Sequence, residues 1–298
     1  MRCSPPQALT LLRRDAPYGV LSCREVGVDW LGNAGGEPDV LELCAALRAH
    51  VPAPRELCLY DAPLGTVGAL RALVDTSLFC RFSYVSLESS GLGPAAAPLL
   101  ARLITSPALL FLLLHLNELL DDTSAPILAA ALRRSHLSSL GLGGIGLFGT
   151  DTAAASLVLL EAVTGHRHLA CLDLSCNSIG DHASAAQALG ALVGANAPAL
   201  EELFLMDMGA SPESLAPLVT ALPRNSHLRR LGMSQNHLFN YAAFSTAHLL
   251  PAVLANRSLR SLTLDQVNGA QVRAVGHVMR REQARLARLR GRVEPWHR

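Results

Sequence analysis

The sequence predicts an α/β solenoid in which short parallel strands line an inner, concave face and helices form the outer, convex face. Half of the 298 residues are hydrophobic, only 16% are charged and 58 are leucine, a composition that favours stacked aliphatic layers over disorder. Pairs of leucine-like residues in the form LxL recur every 27 to 32 residues. Stretches with helical spacing lie between the pairs, so each period combines a strand with a helix.

Eight LxL pairs define the repeats. They are Leu57/Leu59, Val85/Leu87, Leu112/Leu114, Leu140/Leu142, Leu172/Leu174, Leu203/Leu205, Leu231/Met233 and Leu262/Leu264. A weaker ninth unit begins at Val26/Val28. Both members of a pair point to one side of a short strand, into the stack, and the residues beside them face out. One unit cannot bury its own leucines, so neighbouring units must cover them and the stack must curve.

The run LACLDLSCNSIGDHASAAQALGALVGANAPALEEL, from Leu169 to Leu203, resembles the long leucine-rich repeat of the ribonuclease-inhibitor type. The resemblance extends firmly over residues 54–270 and loosely over 20–53. It implies a curved leucine-rich repeat solenoid, or horseshoe, of about eight to nine repeats. We expect an N-terminal cap at 1–20, the solenoid at 21–270 and a basic C-terminal capping helix and tail at 271–298.

The strand-end asparagine of such repeats is present only as Asn117, Asn177 and Asn236. Other residues take its place in the remaining units, namely Ala62, Ser90, Ile145, Met208 and Val267. An asparagine there hydrogen-bonds the backbone between turns. We therefore expect a less regular and less stable stack.

Several classes of function are disfavoured by composition. The net charge of +1 argues against a general nucleic-acid or membrane-surface binder. All 25 basic residues are arginine, and the seven cysteines form no CxxC pair, which indicates neither a disulfide framework nor a zinc site. No signal peptide or membrane span is evident. We expect an intracellular, cytoplasmic protein without metal or cofactor.

The stretch Gly141-Leu142-Gly143-Gly144-Ile145-Gly146 satisfies the dinucleotide-binding pattern GxGxxG. However, Leu140, Leu142 and Leu147 occupy repeat positions in step with their neighbours. We interpret these glycines as a bare strip on the concave face.

That face carries our candidate binding residues. They are Phe111, Leu113, His115, Leu116, Gly141, Gly143, Gly144, Ser175, Phe204, Met206, Asp207 and Arg230. We expect an apolar wall at Leu110, Phe111, Leu113 and Leu116 to stand beside an open depression floored by the glycines. Phe204 and Met206 would form its opposite lip. Such a patch suits an inserted side chain of a protein ligand, or self-association.

The function that these features favour is non-catalytic protein binding by an adaptor, inhibitor or sensor. The resemblance leaves two alternatives open: a GTPase-activating protein of the Ran type, which would be regulatory and enzymatic, and a cytoskeletal or ciliary structural component. The basic tail, residues 271–298, predicts a helix over 271–290 that closes the last repeat with its arginines outward. Its alternative reading is a docking element for an acidic partner or RNA.

Overall fold

The computed structural model describes residues 28–29, 37–49, 55–149, 151–180, 182–236, 242–265 and 268–293. Nine strands form one parallel sheet in which the spatial order is the order along the chain. The strands are β1 Val28–Asp29, β2 Glu56–Tyr60, β3 Tyr84–Glu88, β4 Phe111–Leu113, β5 Ser139–Gly141, β6 Cys171–Asp173, β7 Glu202–Phe204, β8 Arg230–Gly232 and β9 Ser261–Thr263. The predicted N-terminal cap at 1–20 lies outside the described residues.

Helices follow the strands one by one, which gives the expected α/β solenoid. They are α1 Glu37–Ala49, α2 Val67–Cys80, α3 Ala97–Ile104, α4 Ser124–Leu132, α5 Ala153–Val163, α6 Ala183–Gly194, α7 Pro212–Ala221, α8 in three parts, and α9 Gly269–Val293. The parts of α8 are Ala242–Phe244, a π-helical turn Ser245–Leu249, and Leu250–Ala255. Pro251 has no N–H to continue the α-helical ladder, which is consistent with the π-helical turn just before it.

The sheet register confirms the repeat register predicted from the sequence. Leu57, Val85, Leu112, Leu140, Leu172, Leu203, Leu231 and Leu262 are paired in one row across β2 to β9. Val28 pairs with Leu59, so the weak first unit is also in step. Leu174 and Leu205, the second members of adjacent pairs, are both 0% exposed. Aliphatic layers from successive repeats therefore form one continuous core between the sheet and the helices.

The strand-end asparagines alternate regularly, because they lie after β4, β6 and β8. Asn177 accepts hydrogen bonds from the backbone N–H groups of Ile145 and Leu147 in the preceding repeat, at 3.1 and 3.0 Å. Its amide nitrogen donates to the carbonyls of Leu142 and Leu174 at 2.8 and 2.9 Å. Asn117 and Asn236 make the same set of contacts. Each asparagine thus serves its own turn and the turn before it, so the ladder is more regular than the sequence suggested.

The C-terminal helix α9 closes the last described repeat. Ala270, Ala274, Val275 and Val278 are buried on its inner face, and the helix packs on α8 and β9. Two details differ from the expectation. Arg281 is not turned outward, since it donates to the carbonyls of Asn256 and, at 3.2 Å, Leu259. The helical spacing of Val275, Met279 and Leu286 in the sequence would place all three on one apolar face, but only Val275 is buried, and Met279 and Leu286 are exposed.

Candidate binding surface

The concave face presents one strand that is apolar along its whole length. On and beside β4, Leu110 is 40% exposed, Phe111 41% and Leu116 60%, with Leu113 half-buried between them. We call these four residues the β4 row. Soluble proteins seldom leave a continuous row of large aliphatic and aromatic groups open to water unless it is a contact surface. The predicted apolar wall is therefore present.

A tyrosine that sequence reasoning missed extends the β4 row toward β3. Tyr84 pairs with Phe111 in the sheet, and their rings stack with centroids 5.9 Å apart. Tyr60 on the next strand is 37% exposed. Burial and the neighbouring Glu88 carboxylate raise the pKa of Tyr60, so its phenol stays protonated and can donate a hydrogen bond. The signal for Tyr84 was its position, since it precedes Val85 as Phe111 precedes Leu112.

The expected open depression over the glycines is absent, and that prediction is wrong. Gly141 and Gly143 are buried because the imidazole of His115 lies over them. The Gly143 N–H donates to His115 Nδ1 at 2.9 Å. A Cβ built on Gly141 would stand 2.4 Å from His115 Nε2 and 2.8 Å from Leu113 Cδ2. Side chains of the preceding strand fill the space above the two glycines. A Gly143→Arg substitution would therefore disturb this packing, because there is no open depression for the arginine to fill.

Phe204 and Met206, which were predicted to form the opposite lip of the depression, lie in the opposite direction. A Cβ on Gly232 would stand 2.9 Å from Phe204 Cδ1 and 3.6 Å from Met206 Cγ. Phe204 and Met206 thus cover the glycine of β8, on the side away from the strip of Gly141 and Gly143. The rule is the same at both places: a glycine on one strand draws the outward side chain of the preceding strand across it.

Leu116 has a backbone conformation that is unusual for a branched aliphatic residue. Its φ is +57°, in the left-handed region. Equivalent strand ends have the same conformation and carry Asp61, Ser89, Gly144, Cys176, Asp207 and Gln235. Leu116 is the one aliphatic side chain among these seven described positions. It packs against Gly144, where a Cβ would stand 2.8 Å from Leu116 Cδ2. A large apolar group is thus held in water at a position that favours glycine or a short polar residue.

The remaining candidate residues are tied into the sheet. Ser175 is buried, and its hydroxyl accepts from the Met206 N–H at 3.1 Å. Arg230 forms an ion pair with Glu202 on the neighbouring strand. Asp207 is exposed at its strand end. Burial, followed by the charges of Asp207 and Asp173, raises the pKa of the Cys176 thiol, so this exposed cysteine is a weak nucleophile.

The described residues contain no group of three or more histidine, cysteine or acidic side chains arranged to hold a metal ion. Within the same residues, no helix has both the length and the apolar character needed to cross a bilayer. Asn256 of the sequence Asn256-Arg257-Ser258 is 0% exposed, and its amide donates to the carbonyls of Leu222 and Asn225. It is therefore a structural residue of the last turns, not an accessible glycosylation site.

Repeat length, register and the asparagine contacts define a leucine-rich repeat solenoid of the ribonuclease-inhibitor-like type. Among curated proteins, it is similar to the ribonuclease inhibitor of Sus scrofa, with 31% identity over 228 residues. The match covers 75% of this chain and 48% of the relative, so the chain spans about half the length of the curated protein it matches. No protein-family model matches the chain. The kinship suggests a protein-binding module.

Proposed function

We propose that the concave face binds a protein ligand without catalysis, and that the β4 row is the centre of the contact. The observation that carries the proposal is Leu116, which is 60% exposed in a left-handed backbone conformation. Neither burial nor local backbone preference accounts for a leucine at this position. Contact with an apolar group of a partner would account for it, because such central, desolvated contacts carry most of the energy of protein interfaces.

The surroundings of the β4 row indicate the character of the ligand. Tyr84 and Phe111 present a stacked aromatic pair at one end of the row. Acidic side chains lie at the carboxyl ends of β4 and of the two strands before it, with Asp61 after β2, Glu88 at the end of β3 and Glu118 after β4. A partner surface with an apolar centre and basic groups at one side complements this arrangement, and the charges would guide its orientation and speed its association.

Ribonuclease is the first ligand to test, because the relative that this chain resembles is named as an inhibitor of it. We expect the purified chain to inhibit a ribonuclease in proportion to complex formation. If ribonuclease is neither bound nor inhibited, affinity capture followed by mass spectrometry would identify the ligand.

The variant that tests the β4 row is Leu116→Asn. Asparagine tolerates the left-handed conformation better than leucine, so we expect the urea midpoint to stay the same or rise. Binding of the ligand should weaken about tenfold or more, which is the loss expected for a central contact. The measurement is a dissociation constant for each protein, by titration calorimetry.

The matched control is Ile127→Asn on helix α4, since Ile127 is also exposed, at 38%, but lies on a helix and not on the sheet. We expect it to leave binding unchanged. Equal affinity of the wild type and Leu116→Asn for every captured ligand would show that the β4 row is not the contact.

A further inference from the structure

Helix α9 carries an apolar stripe that its own solenoid does not cover. Val272, Met279 and Leu286 are 49%, 55% and 42% exposed. They are spaced by seven residues, so they lie almost on one line along the helix, as the a positions of a heptad do. Val275 falls at a d position between them and is buried against the solenoid. The stripe therefore runs beside the packed face and could form a seam with a second helix.

Among the described side chains of the second half of α9, the last hydrogen bonds to the repeats come from Arg281, which donates to the carbonyls of Asn256 and Leu259. Beyond it, the described side chains from Gln283 to Arg288 are exposed, apart from Arg285, which is half-buried beside Glu282. A helix of this length without tertiary contacts is marginal in water. The arginines spaced three or four apart also repel each other. A partner that supplied apolar contacts and negative charge would remove both disadvantages.

Charge decides which partner fits. With Val272 at an a position, Arg285, Arg290 and Arg292 fall at e or g positions by their place in the sequence, and these positions set partner choice in helix pairs. The segment 269–293 has seven arginines and one acidic residue, Glu282, so two copies of α9 would repel each other. It has no phenylalanine, tyrosine or tryptophan on which a base could stack. We propose that α9 docks an acidic amphipathic helix of another protein along Val272, Met279 and Leu286.

The test uses the full chain and a synthetic four-heptad peptide with leucine at a and d and glutamate at e and g. We expect binding at low salt that weakens as salt rises, because the flanking contacts are ionic. The same peptide with arginine at e and g should not bind. Comparable binding of both peptides, or of neither, would overturn the proposal.

Two double variants separate the seam from general charge. Met279→Glu with Leu286→Glu should weaken peptide binding by about tenfold or more. Ala284→Glu with Ala287→Glu adds the same charge at exposed positions off the seam and should change the affinity by less than about threefold. Thermal unfolding should be the same for both, since the altered side chains are exposed. An equal loss of peptide affinity in the two variants would show that binding depends on overall charge and not on the seam.

Two further measurements address the other occupants. Self-association through the seam would be seen in sedimentation of the free chain and would be abolished by Met279→Glu with Leu286→Glu. We expect no such association. A single-stranded RNA oligonucleotide should bind more weakly than the glutamate peptide. An acidic helix would be refuted as the occupant by self-association through the seam. It would also be refuted if RNA bound at least as tightly as the peptide and the double variant did not weaken RNA binding.

Discussion

Asparagine amides and a histidine imidazole make the same backbone contacts at the turns that lead into the strands. Asn225 donates to the carbonyl of Val193 at 2.9 Å and accepts from the N–H groups of His227 and Leu228. Asn256 repeats this pattern one turn later. His166 does the same with its ring: Nε2 lies 3.0 Å from the Leu132 carbonyl, and Nδ1 accepts from the N–H groups of His168 and Leu169. The imidazole must therefore be neutral, with its proton on Nε2.

This role makes His166 a source of pH-dependent stability. Burial lowers the pKa of His166, so below about pH 6.5 the unfolded chain takes up a proton that the folded chain resists. Stability from this residue is complete above that pH and is lost as the pH falls toward the folded-state pKa. We expect His166→Asn to keep the contacts, and to reduce the drop in the urea midpoint between pH 7.5 and 5.5.

The control for that prediction is His168→Asn. His168 is exposed, and its ring stacks on His136 and lies edge-on to the His166 ring. Its hydrogen bond to the His166 ring comes from the backbone N–H, which asparagine keeps. The drop in midpoint should remain in His168→Asn. If His166→Asn unfolds with the same pH dependence as the wild type, then this ring does not govern the acid sensitivity.

At the scale of elements, helices α6 and α7 approach closely because Gly190 has no side chain. A Cβ at Gly190 would stand 3.0 Å from the carbonyl carbon and 2.7 Å from the Cβ of Pro217. Alanine is the better helix former by about 1 kcal/mol, but overpacking against a rigid proline costs about 1–3 kcal/mol. We therefore expect Gly190→Ala to lower the free energy of unfolding in urea titration.

Gly194 on the same helix is the control. A Cβ there would meet the Cβ of Ala221 at 3.8 Å, an ordinary contact. Gly194→Ala should be neutral or stabilising, by up to about 1 kcal/mol. A gain in both variants would mean that the close approach of the helices is not needed.

These contacts show where sequence reasoning succeeds and where it stops. The pairing of Leu172 with Leu203 followed from periodicity alone, because a one-residue slip would expose a whole layer of leucines. The covering of Gly141 by His115 did not follow. Periodicity says that both face outward, but which neighbour fills the space of an absent side chain depends on packing between strands. The left-handed conformation of Leu116 also could not be predicted from the sequence, because leucine rarely adopts it.

At the scale of the whole molecule, charge is segregated between the two edges of the sheet. The segments from strand to helix contain no arginine, and their acidic residues are Asp61, Glu118, Asp121, Asp122, Asp151, Asp181, Asp207 and Asp265. The segments from helix to strand contain one acidic residue, Glu201, and the arginines Arg55, Arg81, Arg133, Arg134, Arg167, Arg224, Arg229, Arg257 and Arg260. All helices follow parallel strands and share one direction. Acidic groups thus gather where helices begin and basic groups where they end, as the helix dipoles favour.

The parallel stack also makes the solenoid depend on its final helix. Each repeat is covered only by its neighbours, so the last layer, with Leu262 and Leu264, needs α9 as a lid. Removal of residues 269–298 should expose that layer and lower the urea midpoint. Because stability in such arrays is carried by nearest-neighbour contacts, amide exchange should increase first in β9 and β8 and last in β2.

Removal of residues 282–298 is the matched truncation. It keeps the buried face of α9 and the bonds of Arg281 to the final turn, and it deletes described side chains that are mostly exposed. The shorter truncation should therefore unfold at the same urea concentration as the whole chain, with unchanged amide protection in β9. If both truncations were as stable as the whole chain, α9 would be a detachable arm. If both were equally unstable, the stabilising contacts would lie beyond Arg281, where the described side chains show none with the repeats.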